Sequence, residues 1–283
     1  MRHELFHLLY NFNGALGEKH IKQALNISDK EDTEELKLLL QSDERFISCP
    51  ESTWKCVPLD QILEDRPLNS VDFIVTDIET TGSIRGKDRI MEIAAVKLRN
   101  RKTTQEFQSL VNPQKKISRT ITRLTKIKNQ TVKDSPTIEK VLPDFVEFAE
   151  NGIFVAHNSH FDFTFINSEI ERLQLQPLWS PVDICTFRLA RKLLPDVRAR
   201  GISGLSLHFN YNMANRHRAM PDVMATQYFF CKFLSKLEDA GIKTLHELIR
   251  YQQDRTSKKE LLKKIRRIKR KRMTTSYNSR IPN

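Results

Sequence analysis

An α/β fold built on one large sheet is what this 283-residue sequence predicts, and three observations predict it. Three strand-like segments follow one another through 71–113. Strand-like and helix-like segments then alternate through 135–238, which implies a sheet with helices on its faces. The composition, 39% hydrophobic and 29% charged with 8 glycines, is that of a globular chain, and its length suffices for one sizeable domain plus a smaller one.

The elements follow in order. RHELFHLLYNF carries Leu5, Leu8, Leu9 and Phe12 at helical spacing. GEKHIKQALNI reads as a second helix. DKEDTEELKLLLQSD reads as a third, with acids in its first turn, where the helix dipole favours them. RFISC and TWKCV then bracket PES as a hairpin. Three helices and a hairpin over residues 1–68 form a winged-helix-like pattern. In the central segment, 69–238, the strands are VDFIVTDIE, RIMEIAAVKL and TQEFQSLVNP, read as antiparallel, and later GIFVAHN. The helices are SPTIEKVLPDFVEFAE, FDFTFINSEIERLQ, VDICTFRLARKLLP and PDVMATQYFFCKFLSKLE. Residues 239–283 form a basic tail, partly helical or disordered, in which Leu261, Leu262, Ile265 and Ile268 share one face of a helix otherwise filled by Lys and Arg.

Charge divides the chain the same way. The net +12 resolves into −5 for 1–68, +7 for 69–238 and +10 for 239–283. A basic centre and tail suit a polyanion such as nucleic acid. The acidic first segment, with its acidic third helix, suits a protein contact instead. No run of 18 apolar residues predicts a membrane span, and the N-terminus lacks the apolar stretch of a signal peptide. The four scattered cysteines form no C-x-x-C pair. A cytoplasmic protein with free thiols and no membrane partner is expected.

Three stretches carry candidate chemistry. In FIVTDIETTG, Asp77 and Glu79 are two apart on a strand and so share one face. Side by side, their carboxylates repel unless a cation intervenes. Thr80, Thr81 and Gly82 follow with two hydroxyls, an unencumbered backbone and a turn. In FVAHNSHFDF, a strand ends at Ala156–Asn158 and a helix starts near Phe161, with Asp162 in its first turn. Ligands of open α/β sheets bind beyond such strand ends. In NRHRAMPDVMATQYFF, Pro221 fits the first position of a helix. That puts Asp222 in the first turn and His217 in the loop before it, with a pKa suited to proton transfer.

Together, Asp77, Glu79, Asp162, Asp222 and His217 resemble, in order, spacing and context, the DEDDh 3′–5′ exonuclease superfamily over about Phe73–Leu237. DIETTG, AHNSHFD and HRAMPD look most like the proofreading (epsilon) subunits of bacterial DNA polymerase III and their stand-alone relatives. The resemblance implies a ribonuclease-H-like mixed five-stranded sheet flanked by helices. It implies metal-dependent hydrolysis at the 3′ end of single-stranded DNA, with release of nucleoside 5′-monophosphates. Two divalent ions, Mg²⁺ or Mn²⁺, would be held by Asp77, Glu79, Asp162 and Asp222, all hard oxygen ligands. Asp77 would bridge them, and His217 would be the general base. It further implies that Thr80, Thr81 and Gly82 meet the 3′ end, that His157 and Phe161 pack on the last sugar and base, and that Leu124 and Thr125 contact the terminal base.

The chain departs from the family pattern in three places. Lys126 stands where a glycine commonly follows the Leu-Thr pair. Pro221 and Val223 stand where small residues are usual. No Q-x-x-L-F-like clamp-binding peptide is found near the C-terminus, which leaves polymerase or clamp association open. RNA or short oligonucleotides are the alternative substrate, because trimming relatives share the same five residues. A non-catalytic nucleic-acid-binding adaptor is the alternative of another class, and the complete set of acids argues against it.

Overall fold

The computed structural model describes residues 5, 9, 15–25, 33–43, 45–58, 61, 63–175, 182–213 and 217–253. The chain divides into two compact units, Met1–Gln252 and Gln253–Asn283, and Gln253 is the one described residue of the second. The basic tail helix expected around Leu261–Ile268 therefore lies outside the described residues, as do Leu8 and Phe12.

At the N-terminus, Leu5 and Leu9 are helical and buried. The short strand β1 (Leu16–Gly17) leads into helices α1 (Glu18–Leu25) and α2 (Thr33–Ser42), then strands β2 (Phe46–Cys49) and β3 (Thr53–Cys56). The last two form the expected hairpin. With β1 they make an antiparallel sheet of order β1-β3-β2. Trp54, buried on β3, donates its indole N–H to Glu18 Oε1 at 3.2 Å. Leu36, Leu40, Phe46 and Trp54 belong to the same buried cluster as Phe73 and Phe230 of the central segment. Among the described residues, the core is therefore continuous across the boundary expected at residue 68.

The large sheet consists of β4 (Asp72–Thr80), β5 (Ile90–Arg99), β6 (Lys102–Leu110), β7 (Ile153–Ala156) and β8 (Asp183–Cys185), in the order β6-β5-β4-β7-β8. The β4–β5 and β5–β6 pairs are antiparallel, and β7 and β8 are parallel additions. It is the mixed five-stranded sheet expected. Strands β4 and β5 are nearly continuous apolar runs because helices cover both of their faces. On one face Phe73, Val75, Ala94 and Val96 pack under α9 (Ala219–Asp239), where the Phe73 and Phe230 rings meet edge-on at 5.0 Å. On the other, Ile74, Ile78 and Ile93 pack under α5 (Ile138–Ala149) and α6 (His160–Arg172). Gly152 admits β7 to this packing, since a Cβ there would lie 2.3 Å from Ile74 Cγ1.

Two expectations need correction. VDICTFRLARKLLP is not one helix but β8 followed at once by α7 (Thr186–Leu193). The helix N-terminus directly abuts the strand, so no turn residue marks the change. Pro221 is not the first residue of its helix but the third, because α9 begins at Ala219. The proline costs nothing there, since first-turn N–H groups have no partner within the helix. Four further helices were not expected: α3 (Arg119–Thr125), α4 (Asn129–Val132), α8 (Ile202–Phe209) and α10 (Leu245–Gln253).

Helix α10 moves the start of the tail. Leu245, Leu248 and Ile249 are buried in the main cluster, so the compact unit runs past residue 239. Leu245 N–H donates to Arg66 O and Leu68 N–H to Lys243 O, both at 2.9 Å. These bonds tie α10 to the segment that enters β4. Gln252 accepts from Cys185 N–H at 2.5 Å and donates to Asp183 O at 2.7 Å. Its amide thus takes the place of a further strand beside β8. Among the described residues, no helix is long and apolar enough to cross a membrane.

Candidate active site

Strand β4 outruns its parallel neighbour. Pairing with β7 covers Phe73, Ile74 and Val75, and β7 ends at Ala156, but β4 continues to Thr80. A crevice opens where the parallel partner stops, the usual ligand position in such sheets. Asp77 and Glu79 continue the face that carries Phe73 and Val75, so they point toward α9. That helix delivers Asp222 from its first turn. Carboxylate oxygens of Asp77, Glu79 and Asp222 all lie within 4.8 Å of one another.

Asp162 arrives from the first turn of α6. Its Oδ1 accepts from Ile78 N–H at 3.1 Å, a backbone donor on the stretch of β4 beyond its pairing with β7. It is not one of the three-carboxylate group, yet its charge acts on Asp77. Burial is the first cause raising the Asp77 pKa well above the carboxylate range, and repulsion from Asp162, Asp222, Glu79 and Glu92 adds to it. Burial, then the charges of Asp222, Glu92 and Asp162, push Glu79 up to about 8, while Arg218 opposes them. Burial likewise lifts Asp162 to about 7 against the hydrogen bond from Ile78. Burial and mutual repulsion among these carboxylates favour an added positive charge. An all-oxygen donor set short of positive charge fits a hard dication such as Mg²⁺ or Mn²⁺.

His217 is half-buried in the loop before α9, with left-handed backbone at φ 60°. Arg218, next to it, forks onto Glu92 of β5, with Nε at 3.0 Å and Nη2 at 2.8 Å. Sequence reasoning missed Glu92. The available signal was one acid in the middle of the otherwise apolar run RIMEIAAV.

Thr80 and Thr81 are buried, and the turn they enter is held from within. Thr80 Oγ1 donates to Gly82 O at 2.5 Å, and Thr81 Oγ1 accepts from Arg89 N–H at 3.0 Å. Asp88 ties the turn together. It accepts from Thr81 Oγ1 at 3.3 Å, from Ile84 N–H at 2.9 Å and from Lys115 Nζ at 2.7 Å. A Cβ on Gly82 would lie 2.4 Å from the Asp88 carboxylate, which is the physical reason for glycine there.

The remaining expected contacts divide. Leu124 is 48% exposed at the end of α3 and offers an apolar surface. Thr125 is 1% exposed, and its hydroxyl donates to Ile121 O and accepts from Ile127 N–H. It closes the helix from within. Lys126, at φ 63°, adopts the left-handed conformation that explains why glycine is usual at this position. Phe161 is half-buried and packs on Phe165 at 5.5 Å. His157 Nδ1 meets Thr186 Oγ1 at 2.9 Å, and that hydroxyl also donates to Ala156 O. Burial pulls the His157 pKa down to about 4, so the ring is neutral.

A family model described as Exonuclease matches residues 74–230. The PolC-type DNA polymerase III of Caldanaerobacter subterraneus subsp. tengcongensis is 43% identical over 177 residues, which cover 62% of this chain and 12% of that protein. Its counterpart from Staphylococcus aureus is 35% identical over 192 residues, covering 68% and 13%. The chain thus spans about one eighth of the length of these curated relatives. Among solved structures, E. coli Exonuclease I in complex with a dT13 oligonucleotide has a TM-score of 0.55 at 15% identity, covering 61% of this chain and 43% of that one. This last likeness is one of fold.

Proposed function

The chain belongs to the DEDDh-type exonuclease family, and from that premise we propose that it removes nucleotides from the 3′ end of single-stranded DNA with two divalent ions and a histidine base. The observation that carries this reading is the set of Asp77, Glu79 and Asp222 oxygens within 4.8 Å of one another beside the crevice. Mg²⁺ or Mn²⁺, when bound, lowers the pKa of the attacking water and offsets the charge of the scissile phosphate. Asp77, Glu79 and Asp222 hold the ions. Asp162 completes the ligand set from the far side of β4. His217 takes the proton of the attacking water as the new P–O bond forms and the bond to the 3′ oxygen breaks. A nucleoside 5′-monophosphate leaves, and the shortened strand keeps a 3′ hydroxyl. The Thr80–Gly82 turn, Leu124, Phe161 and neutral His157 seat the terminal nucleotide.

The acidic N-terminal segment acts, in this reading, as a winged-helix-like module that contacts protein, supported by its small antiparallel sheet and its −5 charge. Replacing its exposed Lys19 and Lys55 by alanine should leave DNA affinity unchanged, and a fall would assign it to DNA. The basic segment beyond residue 253 holds the strand upstream of the cut. Its removal should flatten the salt dependence of binding.

The central test incubates labelled single-stranded DNA and RNA of matched sequence with Mg²⁺ or Mn²⁺ and the wild-type or Asp77→Ala protein. Metal-dependent shortening of DNA from its 3′ end, lost in the variant, is expected. Shortening of RNA alone reassigns the substrate, and shortening of neither overturns the reading.

A further inference from the structure

The N-terminus of α9 has no cap of its own. Its N-cap residue, Arg218, makes no side-chain capping bond. The first-turn N–H of Ala219 instead donates to Glu92 Oε2 at 3.1 Å, across a sequence separation of 127 residues. The same carboxylate takes both prongs of the Arg218 fork and a bond from Gln108 Nε2 at 3.1 Å. Glu92 is 0% exposed, and a buried carboxylate so fully engaged fixes the groups that engage it. It stands directly across the β4–β5 ladder from Glu79. One step further on, the ladder shifts register, so that Met91 is the extra residue and Thr80 pairs with Ile90. The residue that grips α9 is therefore cross-strand partner to a residue of the acid cluster.

From this geometry, we propose that Glu92 is a positioning residue for the active site, acting through Arg218 and the Ala219 N–H. It pins the first turn of α9, which sets Asp222 against Asp77 and Glu79 and fixes His217 one residue before the clamp. The proposal rests on the exonuclease reading of the site. It adds that the cluster is assembled by a carboxylate that binds no ion itself. Removing the negative charge at 92 frees the helix start, so Asp222 loses its register with the two strand acids. Binding of the strand through Thr80–Gly82 and Phe161 does not pass through this clamp.

The test compares Glu92→Gln with Glu169→Gln, which removes the charge of another buried, arginine-paired acid, one that lies on α6 and makes no bond to α9 or Arg218. Mn²⁺ binding is followed directly by electron paramagnetic resonance, with Asp77→Ala as the background. DNA shortening is measured in parallel, and folding is checked by circular dichroism. Glu92→Gln is expected to weaken Mn²⁺ binding about 10-fold or more. It should also lower kcat with KM held within about 2-fold, while Glu169→Gln leaves both near wild type. If Glu92→Gln does not fold, Arg218→Lys, which keeps the charge but not the fork, should show the same pattern in weaker form. Mn²⁺ affinity within about 2-fold of wild type in the folded clamp variant, or an equal loss in Glu169→Gln, overturns the proposal. Absence of any DNA shortening by the wild type would count against the exonuclease reading alone, because Mn²⁺ binding still reads the clamp.

Discussion

At the end of β4 the acids Asp77, Glu79 and Asp222 face one another, whereas close by Asp88, Glu92 and Glu169 each face a cation of the protein. Asp88 meets Lys115, Glu92 meets Arg218, and Glu169 meets both Arg89 and Arg172. The electrostatics diverge accordingly. Burial and mutual repulsion raise Asp77 and Glu79. Hydrogen bonds from Lys115 and from the Ile84 N–H hold Asp88 below the usual carboxylate range. Burial works against Glu92, but the Arg218 fork and the Ala219 N–H bring it down as well. The paired set is complete in the protein alone and serves structure. In the proposed function, added cations complete the clustered set.

Substitution at the cluster should give the largest effect and the sharpest contrast. Asp77→Asn is expected to cut DNA shortening by at least ~10³-fold while stabilising the metal-free protein at pH 8 by on the order of 1 kcal/mol, or about 2–4 °C. The sign comes from the raised pKa. Between the ordinary value of 4.5 and about 8 for Glu79, the folded state holds protons that the unfolded chain releases, so stability falls as pH rises through that window. Thermal melts of both proteins in EDTA at pH 5 and pH 8 measure it, and an Asp77→Asn melting temperature below that of the wild type at pH 8 breaks the comparison. In the paired set the sign reverses. Glu169→Ala strands Arg89 and Arg172, which are partly solvated, and should cost about 2–3 kcal/mol in urea unfolding.

Two smaller effects concern the turns beside these acids. Gly82→Ala drives a methyl group into the Asp88 carboxylate and should cost about 1–2 kcal/mol, with a rise in KM for DNA as the Thr80–Gly82 turn shifts. An unchanged KM would separate this turn from the substrate. Lys126→Gly relieves a left-handed lysine and should add about 1 kcal/mol, read from the same urea curves.

How far the sequence could be read obeys the same division. Asp77, Glu79, Asp162 and Asp222 were legible as a set through their resemblance to the exonuclease superfamily, with strand period and helix starts giving each its place. The partners that hold the site were not. Nothing local in RIMEIAAV shows that Glu92 reaches Arg218, 126 positions away, and nothing local shows that Asp88 closes on Gly82. Such contacts exist only once the ladder has set its register. Strand β8 escaped notice for a related reason, since Cys185 passes into the helix at Thr186 without a turn residue. The part Thr125 plays in closing α3 was not legible because the pattern did not reveal that helix.

The Gln252 side chain that lies along β8 has a practical consequence for anyone handling fragments of this protein. The family match stops at residue 230, yet the outer edge of the sheet is finished by an amide from residue 252. A fragment trimmed to the family boundary would expose an unpaired strand rim, the kind of surface that recruits a second molecule edge to edge. Clumping of such a fragment would then report a missing bumper on the sheet, not a defect in the core of the fold.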